Sequence, residues 1–260
     1  MAFKSPREIV QTVDAVGCAK AKLSWSQLIA LSFLAGAFIA MGGLLAIVVG
    51  GGIPQIKADN PGLQKLIFGS VFPVGLVLVV IGGAELFTGN TACCMPAVLS
   101  RRIKWTACAR NWLLSYLGNF VGSVFVAVVL AYLTYLLAKE PWLSATIELA
   151  EGKVHQSFWP LFFKGIGCNW LVCLSICLAV SSDDIISKIA GIWFPIMAFV
   201  ALGFEHSIAN MFFIPVGMLY GAQVTWGQFL IGNLLPVTLG NIIGGSIFVG
   251  CFYWYVFGRG

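Results

Sequence analysis

The sequence is short of charge: only 10% of its 260 residues are Asp, Glu, Lys or Arg, while 59% are hydrophobic. A water-soluble domain carries about a quarter charged residues, so most of this surface cannot face water. The net charge of +5 is scattered over short segments, which excludes a nucleic-acid patch. Histidine is scarce, with only His155 and His206. A haem-bearing membrane subunit needs paired axial ligands within the bilayer, and two histidines without a cysteine cluster do not supply them. The eight cysteines form no CxxC pair. Cys93, Cys94, Cys168, Cys173 and Cys177 sit in apolar runs and read as small buried hydrophobes, not as a metal or disulfide set. No cofactor, metal or enzymatic activity is expected. Met1–Lys22 is polar and mixed in charge, so no cleavable signal is read there.

What is present is a series of apolar segments. A membrane span needs about 20 apolar residues, and Leu28–Val49, Asn111–Leu137, Phe158–Ser181 and Gln228–Phe257 each fit one crossing. Leu66–Leu99 and Ile185–Leu219 do not, since each runs for about 34 or 35 residues without a polar loop. As single helices they would be about 50 Å long, against a hydrocarbon core of about 30 Å. Each carries one acid in a glycine-containing stretch near its middle, Glu85 and Glu205. A span broken at the acid is the economical reading. Irregular backbone at membrane depth is tolerated where protein or a water-filled cavity surrounds it.

Six spans follow. With the N-terminus inside, the inner face collects Lys4, Arg7, Lys20, Lys22, Arg101, Arg102, Lys104, Arg110, Lys188 and Arg259. The outer face keeps Lys57, Lys65, Lys139 and Lys153, and Lys164 falls within a span. This positive-inside bias places both termini in the cytoplasm of a multi-pass protein of the cell membrane. The chain reads as a single transmembrane domain over 1–260, with residues 1–27 as a cytoplasmic segment whose amphipathic part, Pro6–Lys20, lies on the inner surface.

The two broken segments repeat each other. Phe72-Pro73, Gly83-x-Glu85-x4-Asn90 and Pro96 answer Phe194-Pro195, Gly203-x-Glu205-x4-Asn210 and Pro215. The following spans match too: Asn111…Leu117-Gly118-Asn119-x2-Gly122 against Asn233…Leu239-Gly240-Asn241-x2-Gly244, with offsets of 120 and 122 residues for the breaks and these spans. Repeat one covers about 28–137 and repeat two about 158–257. Three spans per repeat make the second enter from the opposite side. Inverted repeats with a discontinuous helix in each half are a recurring transporter design, with the breaks meeting near the midplane. The glycine pairs read as close helix packing.

A broken helix exposes unpaired N–H groups at the start of its second half, with the positive end of the dipole behind them. That is an anion site without a formal cation. Thr88 adds an adjustable hydroxyl at the first break. His206, directly after Glu205, can donate to an anion, or give it a proton and retrieve one later. Asn169, deep in the fourth span, is the expected partner of the imidazole. Around this polar midpoint Phe72, Leu76, Leu86, Phe87, Val172 and Phe199 form two apolar constrictions that exclude hydrated ions. An ionisable group in mid-membrane is costly and marks function. Glu85 and Glu205 therefore either hold exposed backbone amides at the breaks, alongside Asn90 and Asn210, or touch the substrate.

GAELFTGN at Gly83–Asn90, CNWLVCL at Cys168–Leu174 and GFEHSIANMF at Gly203–Phe212 closely resemble the formate/nitrite transporter family, and SFLAGAFIAMGGLLA at Ser32–Ala46 looks like its first span. The similarity covers nearly the whole chain and is nearest to the formate branch that accompanies formate dehydrogenase. The resemblance implies an aquaporin-like protomer in a homopentamer, one pore per protomer, carrying formate as a channel or proton-coupled carrier. It implies that Thr88 and His206 flank the pore centre with Asn169 bonded to the imidazole, and that Lys153 draws anions into the outer vestibule. The acid would cross the apolar slit neutral, because desolvation raises a carboxylate's proton affinity. Either His206 or water supplies the proton. Nitrite, hydrosulfide or lactate could use the same path. From other classes, a membrane subunit of a redox complex and a neutral-solute or ammonium channel are the alternatives. Lys164 departs from the family pattern, standing three turns after Lys153 if one helix carries both. It is expected to snorkel, to pair with Glu148 or Glu151 across a subunit contact, or to act as a second vestibule cation.

Overall fold

The computed structural model describes residues 3–259, and among them regular structure is entirely helical. Helix α1 (Pro6–Ala21) starts where Ser5 and Glu8 form a reciprocal capping box with Pro6 in the first turn. A second capping box, Ser24 with Gln27, starts α2 (Trp25–Ala46), which continues as π-helical turns over Ile47–Gly51. A short helix α3 (Pro54–Asp59) and α4 (Pro61–Val71), capped by Asn60, lead to α5 (Val74–Gly82). Then come α6 (Phe87–Leu99), α7 (Trp105–Phe125) with its extension Val126–Tyr132, α8 (Trp142–Val154) and α9 (Phe158–Ser181). The chain ends with α10 (Ile185–Ala201), α11 (Ser207–Leu219) and α12 (Leu235–Gly245), the last flanked by π-helical turns.

Among the described residues five helical stretches are long and apolar enough to cross a bilayer: Trp25–Gly51, Pro61–Gly82, Trp105–Tyr132, Phe158–Ser181 and Gln228–Gly258. The two interrupted segments are less alike than their sequences. The first has 22 residues, Pro61–Gly82, before its break. Pro73, which donates no backbone hydrogen bond, separates α4 from α5 within it. The second has the 17 residues of α10, and Pro195 stays inside that helix. Both breaks begin the same way, with a glycine in the left-handed region, Gly83 at φ 79° and Gly203 at φ 71°. Each is followed by a backbone bond that closes the helix end, Ala84 N to Val79 O at 2.9 Å and Phe204 N to Phe199 O at 3.0 Å.

Pairs of helices approach closely through glycine. A Cβ on Gly122 of α7 would run into the Phe33 carbonyl of α2, and one on Gly244 of α12 into the Ile166 carbonyl of α9. The outer faces remain apolar, with Leu113, Leu117, Val121, Trp159, Phe163 and Ile231 exposed as a bilayer-facing surface requires. Helix α1 packs against the helix bundle. Its Gly17 packs on the Cys93 carbonyl of α6, and Asp14 pairs with Arg102 at 3.0 Å. Helix α8 carries Lys153 in its last turn and has the same relation to the second break that α1 has to the first.

Candidate functional site

At the first break the irregular backbone Gly83–Leu86 is held by α7. Asn119 accepts from the Phe87 N–H at 2.9 Å and donates to the carbonyls of Ser32 at 2.7 Å and Glu85 at 2.9 Å. The Glu85 N–H donates to Leu31 O at 3.1 Å. The Glu85 carboxylate accepts from Lys20 at 2.7 Å, Asn90 at 2.8 Å and Asn111 at 3.3 Å. A buried carboxylate is thus paired and hydrogen-bonded, the condition under which a buried charge persists.

The second break repeats this set of bonds. Asn241 accepts from the Ser207 N–H at 2.8 Å and donates to Gly165 O at 2.8 Å and Glu205 O at 3.0 Å. Glu205 N donates to Lys164 O at 3.4 Å. The Glu205 carboxylate accepts from Lys153 at 3.0 Å and Asn210 at 2.7 Å. Neither acid accepts a backbone amide, so the role expected of them belongs to Asn119 and Asn241. The acids instead bind the fourth residue of the following helix and a lysine from α1 or α8.

The two breaks meet. Thr88 Oγ1 and His206 Nε2 lie 3.0 Å apart, both buried. His206 caps α11, its Nδ1 accepting from the Ala209 N–H at 3.1 Å. Because a backbone N–H can only donate, Nδ1 carries a lone pair and the ring proton sits on Nε2. Nε2–H therefore donates to Thr88, whose own hydroxyl proton is left for another acceptor. Around this contact the N–H groups of Thr88, Gly89 and Ile208 have no hydrogen-bond partner among the described residues. Free donors at two facing helix starts attract an anion or the oxygens of a weak acid.

Asn169 is not bonded to the imidazole, both of whose nitrogens are taken. Its amide donates to Thr88 O at 3.1 Å, Thr91 Oγ1 at 2.9 Å and Asn241 O at 2.6 Å, holding the start of α6 from the opposite half of the chain. Ser123 is its counterpart, reaching Gly36 O at 3.2 Å and Ile208 O at 3.4 Å.

A cavity of about 590 Å³ opens at the end of the bundle where α3 and α8 lie and reaches down to His206. Phe72 and Phe199 line it, with ring centroids 5.9 Å apart and edge-to-face, and Phe199 stacks on His206 at 5.9 Å. Leu76, Leu86 and Val172 are buried in the adjoining core and do not line this cavity. Phe87 packs edge-on against Tyr116 at 4.9 Å. Lys153 lines the cavity, 5.5 Å above the Phe213 ring, but as the partner of Glu205 it is not a free cation. Lys164 belongs to α9, not to the helix of Lys153, and donates to Gln156 Oε1 at 2.6 Å. Within the chain the acids expected for it are engaged elsewhere: Glu148 pairs with Lys57 at 2.6 Å and Glu151 accepts from Gln223 N at 2.8 Å.

Sequence reasoning missed Lys20, Asn119, Asn241 and Ser123 as parts of the site. The asparagines carried a signal, since they fall at matching places in the repeat; a carboxamide that both donates and accepts suits an exposed break. Lys20 carried none, because an inner-face lysine follows from the charge rule alone.

Residues 7–255 match the family model described as formate/nitrite transporter. A probable formate transporter of Methanothermobacter thermautotrophicus is 53% identical over 98% of this chain and 97% of its own length. A formate channel of Bacillus thuringiensis is 42% identical over 98% of this chain and 96% of its own. Of solved structures, an FNT family ion channel superposes with a TM-score of 0.87 at 33% identity, covering 96% of this chain and 98% of that one. A pentameric formate channel with formate bound superposes with a TM-score of 0.78 at 32% identity, covering 90% and 98%. These relatives are named as transporters and channels, and the helical bundle with its apolar spans is a membrane protein; the chain belongs to the formate/nitrite transporter family.

Proposed function

We propose that the protein conducts formate across the cell membrane through its own helix bundle, with the acid crossing the narrowest part in neutral form. The observation that carries this reading is the Thr88–His206 contact at 3.0 Å, set between two helix starts with free N–H groups at the floor of an aromatic cavity. The architecture is a single domain of six spans in two inverted three-helix repeats, broken in the second and fifth spans, with both termini cytoplasmic. The cavity then faces outward. The relation to a pentameric formate channel supports a homopentamer with one pore per protomer.

Formate enters hydrated and sheds water where Phe72 and Phe199 narrow the cavity. Desolvation disfavours its charge, so it takes up a proton. At the centre the Thr88–His206 bond opens, and the Nε2–H, the Thr88 hydroxyl and the free N–H groups hydrogen-bond the two oxygens. Leu76, Leu86, Phe87 and Val172 form the second apolar stretch beyond it. The proton comes from solution. Neutral His206 has only its Nε2 proton to give, and a proton on Nδ1 excludes the bond that caps α11. The acid–asparagine–lysine clusters keep the breaks rigid, and the second of them, Glu205 with Asn210 and Lys153, also lines the cavity.

The test is uptake of formate, nitrite, hydrosulfide and lactate into proteoliposomes at several pH values, alongside His206→Ala. Formate flux is expected to rise as pH falls and to drop in the variant. Wild-type flux no greater than in empty vesicles would overturn conduction, and flux indifferent to pH would overturn the protonation step.

A further inference from the structure

The two breaks are equivalent bond by bond, but not in the side chains they bring together. Counted from the two acids, Leu86 corresponds to His206, Phe87 to Ser207 and Thr88 to Ile208. The backbone follows this register. The Phe87 and Ser207 N–H groups each donate to an asparagine, at 2.9 and 2.8 Å. The Thr88 and Ile208 carbonyls are each held from the opposite half of the chain, by Asn169 at 3.1 Å and Ser123 at 3.4 Å. The Thr88–His206 contact at 3.0 Å therefore has a mate across the pseudo-twofold, Ile208 with Leu86. Both are buried, and both belong to one hydrophobic cluster. One crossing of the pore centre is polar and its mate is apolar.

We infer that the Ile208 side chain, backed by Leu86, is the specificity-determining wall of the pore centre, selecting a monoacid with hydrogen-bonding atoms on one edge only. Formic acid meets that demand. Its two oxygens turn to Thr88, His206 and the free N–H groups, while its C–H, which needs no partner, faces Ile208. Nitrous acid carries a nitrogen lone pair where formic acid carries that C–H. Against a branched alkyl wall this acceptor loses its water and gains no donor. The inference rests on conduction through this centre and names the side chain that ranks formate above nitrite. One hydrogen bond withheld is worth about tenfold.

The experiment is uptake of formate and of nitrite into proteoliposomes, at equal concentration and one pH, read as the formate-to-nitrite ratio. Ile208→Thr keeps the branch and exchanges the ethyl arm for a hydroxyl; it is expected to lower the ratio about tenfold. Ile208→Ser, the same hydroxyl with less bulk, is expected to do likewise. Ile208→Val and Ile208→Ala leave the wall apolar and should keep the ratio of the wild type. A misfolded protein loses both fluxes together, so hydroxyl variants whose fluxes fall alike at an unchanged ratio would overturn the proposal. So would an alanine protein whose ratio drops as far as that of the serine protein, which marks size and not polarity. Wild-type formate flux no greater than in empty vesicles would overturn the conduction reading itself, and the role of Ile208 with it.

Discussion

Asn119→Leu tests whether the break is held by a side chain. The substitution keeps the branched skeleton, with bulkier methyl groups in place of the amide oxygen and nitrogen, and removes the carboxamide. The Phe87 N–H and the Glu85 carbonyl then lose their partners at 2.9 Å, and the Ser32 carbonyl loses a second one at 2.7 Å. Leu leaves no room for a replacing water, so the desolvation penalty falls on the backbone. Each stranded buried group costs about 1–3 kcal/mol. The Ser32 carbonyl still belongs to its helix, so we count the other two and expect a loss of about 3 kcal/mol. For a chain of this size that lowers the unfolding midpoint by about 6–12 °C. The assay is thermal unfolding in detergent, with proteoliposome uptake measured on the surviving fold. Asn241→Leu should match it, because Asn241 makes the same three bonds at the second break. A midpoint and flux equal to wild type in both variants would refute the clamp.

His206→Asn should keep α11 capped, since asparagine is a good cap, yet lose the donor to Thr88. Its unfolding midpoint should exceed that of His206→Ala while both conduct formate at least about tenfold more slowly, the loss of roughly one hydrogen bond; equal midpoints would contradict the capping role. Glu205→Gln or Lys153→Met alone should cost about 3–5 kcal/mol by stranding a buried charge, and the double variant should recover most of it. Full additivity of the two losses would show that the groups do not interact.

The positions of the breaks were legible in the sequence because they depend on local facts: an over-long apolar run, a glycine free to take positive φ, an acid no lipid-facing helix would carry. The repeat sharpened them, since two weak patterns at nearly one offset constrain each other. Partners were harder. Asn169 was assigned to the imidazole because both are polar and deep, but helix rotation aims its amide at the Thr88 carbonyl, and His206 is already satisfied by its own helix. Whether one helix carries both Lys153 and Lys164 is left open by the spacing; the chain turns between Val154 and Phe158 and separates them.

Composition, hydropathy and the internal repeat by themselves determined that this chain lives in a bilayer, where it is interrupted, and that Thr88 and His206 stand at the interruptions. Those properties follow from near neighbours along the chain. The tertiary structure alone decided what neutralises each buried acid, Lys20 for Glu85 and Lys153 for Glu205, across 65 and 52 residues. It also decided that Ser123 serves one repeat where Asn169 serves the other. Such choices turn on helix rotation and on glycine-sized gaps, a few ångströms that no spacing in the sequence encodes.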